Sequence, residues 1–220
     1  LEGIGVTNVD VVGDTRFGRA RDLRHAAKPL PLAERFAGCW EVLVAGSSWP
    51  QDEEIIIPYF NKHPNLKLVL ARHVVSEEHL QAIERQLARP ALRYSKATPK
   101  AVAEVDCLII DCYGLLSSIY RYASMAYVGG GFGVGIHNVP EAAVYGIPVI
   151  IGPNNKKFRE AQALLRCGGC KEIAGVADFE QIMDAWLSDK EALATAGKAA
   201  GCYIADNAGA ADRIFSKTLQ

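Results

Sequence analysis

No stretch of this sequence approaches the roughly 20 consecutive apolar residues that a membrane-spanning helix needs, so no span is expected. Nor is there an excess of either charge. The 24 Lys and Arg stand against 25 Asp and Glu, a net charge of −1. That leaves no electrostatic footprint for nucleic acid or for an anionic bilayer. The opening "LEGIGVTNVD" has neither the basic start nor the apolar stretch of a signal peptide, and it reads as a chain entered in mid-fold. Repeats, low-complexity tracts and linkers are missing too, so residues 1–220 are expected to form one domain.

Cysteine is present but unorganised. Of Cys39, Cys107, Cys112, Cys167, Cys170 and Cys202, only Cys167 and Cys170 fall at redox or zinc spacing. A second pair is missing and no histidine lies near them in sequence, which argues against a metal site. Cys107 sits inside an apolar run, where a thiol behaves as a small hydrophobe. The expectation is a reduced cytoplasmic protein with free thiols and no metal.

Half of the residues are apolar, and their arrangement carries the fold. Val9–Gly13, Trp40–Gly46, Leu66–Ala71, Val105–Asp111, Met125–Gly130 and Ile147–Gly152 are short continuous apolar runs rather than alternating ones. Strands covered on both faces read this way. Weaker edge strands are expected at Ala91–Ser95 and Lys171–Ile173. Helix-length segments separate them: Asp52–Lys62, Glu77–Ala88, Gly114–Tyr122, Pro140–Tyr145 and Lys157–Cys167. The chain then turns helical at Phe179–Leu187, Lys190–Asp206 and Ala210–Leu219. This alternation predicts an α/β fold, a Rossmann-like, mostly parallel sheet with helices on both faces and extra C-terminal helices.

Ligands of such sheets gather beyond the carboxyl ends of the strands, and four ends here are unusual. "AGSSWPQDEE" offers Gly46, Ser47 and Ser48 to an anion at a helix start, or else a plain serine cap. "ARH" puts Arg72, whose fork of donors suits phosphate, beside His73. Ser76 to His79 reads as a helix cap with acids in the first turn. In "DCYG", Gly114 lets a flat group approach the backbone.

The fourth end is "YVGGGFGVGIHNVPEAAVYGIPVIIGP", with five glycines between Gly129 and Gly135. It satisfies neither the G-x-G-x-x-G fingerprint in any frame nor the P-loop ending, which argues against a dehydrogenase or an NTPase. Asn138 and Glu141 have the spacing of a capping box. The glycines tilt the reading towards a ligand pressed onto bare backbone, with Glu141 accepting from two ribose hydroxyls.

In order along the chain, "GDTRFGRA", "AGSSWPQDEE", "ARH" and the segment Tyr127–Ala161 closely resemble the C-terminal half of 3-deoxy-D-manno-octulosonic acid (Kdo) transferase. The match spans nearly the whole chain, loosening in the C-terminal helices. The resemblance implies a GT-B fold, with the donor CMP-Kdo held by the second of two Rossmann-like domains. It implies transfer of Kdo with inversion to the lipid A precursor of lipopolysaccharide, at the cytoplasmic face of the inner membrane. Donor-binding positions would be Ser47, Ser48, Ala71, Arg72, His73, Tyr113, Gly114, Leu115, Gly131, Asn138, Val139, Pro140 and Glu141. The family's turn is Met-Gly-Glu, so Leu115 lacks a polar side chain. The glycine loop is one residue shorter than in better-known members, and it reads Gly-Ile-His-Asn where they have Gly-Gly-His-Asn. By the same resemblance, the general base and the acceptor surface belong to an N-terminal domain, and these residues alone would bind donor without transferring it. A CMP-sugar has one phosphate, so no metal and no cofactor is implied. Two alternatives stay open: a GT-B enzyme or epimerase using a UDP-sugar, and a non-catalytic module. Thr15 and Arg16 can contact the donor sugar or order the first strand–helix turn, and the second is favoured.

Overall fold

The computed structural model describes residues 14–210 and 214–216. The strand expected at Val9–Gly13 and most of the helix expected at 210–219 lie outside the described residues. Seven strands form one parallel sheet: β1 (Glu41–Ser48), β2 (Leu66–Arg72), β3 (Ala91–Arg93), β4 (Cys107–Ile110), β5 (Met125–Val128), β6 (Val149–Ile151) and β7 (Cys170–Glu172). Their order is β3-β4-β2-β1-β5-β6-β7. The chain builds outward in one direction from β1, then returns and builds in the other from β5. The crevice between the carboxyl ends of β1 and β5 is therefore the topological switch point, where open α/β sheets bind ligands.

The continuous apolar runs have a plain cause. Val42 and Val44 of β1 enter one core, while Leu43 and Ala45 enter the other. Successive side chains of a strand point to opposite faces, so a strand covered twice must be apolar throughout. One face is covered by α3 (Pro50–Lys62), α4 (Glu77–Gln86) and α8 (Val176–Ser188), through Ile56, Phe60, Ile83, Phe179 and Met183. The other is covered by α1 (Thr15–Ala26), α2 (Pro31–Ala37), α6 (Val139–Ala143), α7 (Arg159–Cys167) and α9 (Lys190–Asn207). Phe17, Phe36, Val139, Leu164 and Ile204 are their anchors there.

Two helices were not legible in the sequence. The segment that forms α1 reads TRFGRARDLRHA and buries only Phe17, Gly18 and Ala20, so it shows no apolar stripe. It is set by its cap, Asp14, whose carboxylate accepts from the Arg16 backbone N–H at 2.9 Å. Pro31 at the start of α2 supplies its entry signal. The helix expected over Gly114–Tyr122 shrinks to α5 (Leu116–Ile119) followed by a 3₁₀ turn at Tyr120–Tyr122. Arg16 bridges Asp14 and Glu160, at 2.6 Å each, which ties the start of α1 to α7.

Among the described residues no helix is long and apolar enough to cross a membrane. Cys167 is exposed, while Cys170 is buried and its thiol is pushed up by that burial.

Candidate functional site

Strand β1 runs into a junction tighter than its sequence suggests. Ser47 has a φ of 53°, the left-handed region that a side chain rarely occupies. Ser48 is fully buried, and its hydroxyl donates to Glu53 Oε1 at 3.0 Å. The residue that caps α3 is Trp49, whose backbone N–H donates to Asp52 Oδ2 at 2.9 Å. The Ser48 hydroxyl is therefore engaged within the chain. Ser48 is no cap, and no external anion is needed at this helix start, because the chain's own Asp52 and Glu53 occupy it. Acids in a first turn also suit the helix dipole.

Both carboxylates are buried, and both tie strands together. Asp52 accepts from Tyr127 Oη at 2.6 Å and from the Gly130 N–H at 3.0 Å, joining α3 to β5 and the loop beyond it. Burial, with Asp52 beside it, pushes the Tyr127 hydroxyl up. Glu53 accepts from Arg72 Nε at 2.7 Å, and its Oε2 lies 3.0 Å from His79 Nε2. Arg72 Nη1 donates to the carbonyl of Val74 at 3.1 Å. Its Nη2 has no hydrogen-bond partner among the described residues, and the guanidinium lines a cavity of about 190 Å³ with Trp49, His73 and Ser76. Arg72 is thus held on one edge, with the other edge facing that cavity. His79, read from the sequence as an ordinary first-turn residue, belongs to this network. Ser76 begins α4 without a side-chain cap bond.

The glycine loop is packed against its own chain. A Cβ on Gly129 would lie 2.4 Å from the Ser47 carbonyl oxygen, and one on Gly131 2.6 to 2.8 Å from backbone atoms of Gly152. Gly129, Gly130, Gly131 and Gly135 are buried, whereas Gly133 is exposed. The ligand expected from these glycines is not what requires bare backbone at Gly129 and Gly131: close passage of the β1, β5 and β6 connections already does. Gly131→Ala, at a φ open to any residue, is expected to cost about 1–3 kcal/mol through overpacking. Urea unfolding measures this, and an unchanged midpoint would contradict the close approach.

The loop ends in His137, whose N–H returns to the Gly129 carbonyl at 3.1 Å, and then α6 begins. Asn138 occupies the cap position but makes no side-chain cap bond. Its amide instead donates to Glu141 Oε1 at 2.7 Å, on the surface. The capping box is therefore not formed. Glu141 lies close enough to the buried Tyr120 that its charge, after burial, helps push that hydroxyl up. Tyr120 in turn fills the space over Gly46, where a Cβ would lie 1.9 Å from its hydroxyl oxygen. Leu116 packs on the same glycine. Across the mouth, exposed Tyr113 accepts from the Val75 N–H at 3.4 Å through its hydroxyl.

The fold so brings the four strand ends together around Gly46. His73, Tyr113, Gly114 and Asn138 are exposed at the open edge, Glu141 is half-buried there, and the Arg72 side chain is nearly buried behind them. Ala71, Val139, Pro140 and Ser48 are buried with their side chains turned inward, and the backbone of Gly131 is buried too. Leu115 is half-buried. Sequence reasoning missed Trp49, Asp52, Glu53 and His137. The signal available was the pair of acids directly behind "SSWPQ", indistinguishable in sequence from solvent-facing first-turn acids. A larger cavity, about 670 Å³, lies between α1, α7 and α9, lined by Arg16, Arg159 and Arg166 and away from the strand ends.

No family model matches the chain. It is 34% identical over 137 residues to the 3-deoxy-D-manno-octulosonic acid transferase of Chlamydophila psittaci, covering 59% of this chain and 31% of that protein. To the transferase of the same name from Rickettsia prowazekii it is 26% identical over 201 residues, covering 88% of this chain and 43% of that one. The chain therefore spans less than half the length of these curated relatives. In structure it is similar to the C-terminal CMP-Kdo binding domain of WaaA from Acinetobacter baumannii, with a TM-score of 0.64 at 19% identity over 84% of this chain and 95% of that one. A putative UDP-N-acetylglucosamine 2-epimerase from Listeria monocytogenes gives 0.66 at 15% identity, over 97% of this chain and 54% of that one. The resemblance to Kdo transferases and the expected fold class are both borne out.

Proposed function

We propose that this chain is the donor-binding domain of a Kdo transferase, an inverting glycosyltransferase, and that it takes CMP-Kdo at the carboxyl edge of β1, β2, β4 and β5. The observation that carries the reading is convergence. Gly46–Ser48, Arg72–His73, Tyr113–Leu115 and Asn138–Glu141 are remote in sequence yet meet at the switch point, and all but Tyr113–Leu115, which departs from the family's turn, lie in segments through which the chain resembles that family. The free edge of Arg72 meets the single phosphate. Half-buried Glu141, at the rim, accepts from the ribose hydroxyls. Tyr113 and the flexible Gly114 (φ 84°) lie where a base can rest on backbone.

In the transfer step, a sugar hydroxyl of the acceptor attacks the anomeric carbon of Kdo. The bond to phosphate breaks, the acceptor's proton passes to a base outside this site, and CMP leaves with one more negative charge. Arg72, held in place by Glu53, offers a fixed positive group where that charge develops, the kind of preorganised stabilisation that speeds group transfer. The acceptor is assigned as the lipid A precursor, at the cytoplasmic face of the inner membrane.

The likeness to UDP-sugar epimerases favours a second reading, in which the same edge takes a uridine nucleotide. Calorimetric titration with CMP, UMP and UDP separates the two. CMP is expected to bind at least tenfold tighter than UMP. A preference for either uridine nucleotide would sink the first reading, and no binding of any of the three would favour a non-catalytic module.

A further inference from the structure

Three rings meet above the carboxyl ends of β1, β2 and β5. His73 stacks on Trp49 with centroids 4.9 Å apart, and lies tilted by 31° against His137 at 4.3 Å. Beneath it the Trp49 indole nitrogen lies 3.2 Å from His137 Nε2. An indole nitrogen carries a hydrogen and can only donate. His137 Nε2 must therefore accept, which places the single proton of the neutral ring on Nδ1.

Several features keep the ring in that state. Burial, and after it the neighbouring His73, holds the His137 pKa below its ordinary value, against a weaker opposing pull from Asp52. A ring with a lowered pKa is neutral near pH 7. Its Cδ2, beside Nε2, faces Gly130, where a Cβ would lie 3.1 Å away. Nδ1 is on the opposite edge of the ring and has no hydrogen-bond partner among the described residues. The backbone on either side is fixed, by the bond to Gly129 behind and by the start of α6 ahead.

We propose that His137 donates its Nδ1–H to the anionic group of the bound ligand, and that Trp49 is a positioning residue which fixes the tautomer that makes this possible. The inference rests on the reading above, in which that anion is the phosphate of a nucleoside monophosphate. His137 adds a neutral, directional donor to the charge supplied by Arg72.

Asparagine and glutamine separate the two nitrogens. The asparagine amide reaches about as far as Nδ1, and the glutamine amide about as far as Nε2. His137→Asn is therefore expected to keep CMP affinity within about threefold, while His137→Gln and His137→Phe lose about tenfold or more, the range for a hydrogen bond to a charged group. Cytidine, which lacks the phosphate, should not distinguish the variants. Proton–nitrogen correlation spectra of the unliganded wild type should show His137 protonated at Nδ1, and Trp49→Phe should release a mixture of tautomers. The reverse order, Gln retaining affinity and Asn losing it, would mean that His137 only anchors Trp49, and would overturn the proposal. So would protonation at Nε2. A wild type that binds no CMP would overturn the donor-domain reading itself, which the tautomer spectrum leaves distinguishable.

Discussion

Glu53→Ala is expected to lower folding stability by about 3–5 kcal/mol, the usual cost of removing one partner from a buried ion pair. The side chains of Glu53 and Arg72 are 2% and 4% exposed. An arginine cannot shed its charge to escape such a site. With the carboxylate gone, the guanidinium keeps only the Val74 carbonyl, and Ser48 loses the acceptor for its buried hydroxyl. Glu53→Gln keeps the shape and one acceptor oxygen, so it should fall between alanine and wild type. Replacing both partners by methionine should cost less than Glu53→Ala alone, because no charge is left stranded. Urea unfolding of the four proteins ranks these costs. A loss under about 1 kcal/mol for Glu53→Ala would mean that solvent reaches the pair, and that Arg72 is not held in place by it.

That network was the least readable part of the sequence, and the reason is spatial. Glu53 sits in "WPQDEE", where an acid behind a proline looks like any first-turn residue on a helix. Its partners come from the next strand and the helix beyond, Arg72 and His79, and no local spacing announces them. The strands were legible for the opposite reason. Burial on both faces forces Leu68 to Ala71, or Met125 to Val128, to be apolar without interruption, and that is visible in one dimension. Helix α1 hides because four arginines and a single large apolar anchor give no periodicity. The glycines of 129–135 were visible but misread: what presses on Gly129 and Gly131 is the backbone of Ser47 and Gly152. Asn138 and Glu141 were read at the right spacing, with the wrong bond. The spacing suited a cap, but Asn138 enters α6 with ψ of 88° and turns its amide to the Glu141 carboxylate instead.

That pair, with Asn138 exposed and Glu141 half-buried at the rim, permits a test of binding with little effect on folding. Glu141→Ala is expected to weaken CMP binding by about 100-fold, from two lost hydrogen bonds to a charged acceptor at roughly 1.5 kcal/mol each. Stability should stay within about 0.5 kcal/mol, as for most surface substitutions, since Glu141 bonds only to Asn138 among the described residues. The ribose supplies a second axis. Deoxycytidine monophosphate lacks one of the two hydroxyls, so the wild type should prefer CMP by about tenfold. In Glu141→Ala that preference should vanish, because the group that senses the hydroxyl has gone. Glu141→Gln, with an amide oxygen in place of a carboxylate, should keep part of it. An alanine variant that weakens both nucleotides yet still prefers CMP would show that another group reads the sugar. Equal affinity of wild type and alanine variant for CMP would remove Glu141 from the site altogether. In that event Arg72 and His137 could still hold the phosphate, but recognition of the pentose would have to come from backbone around Gly114.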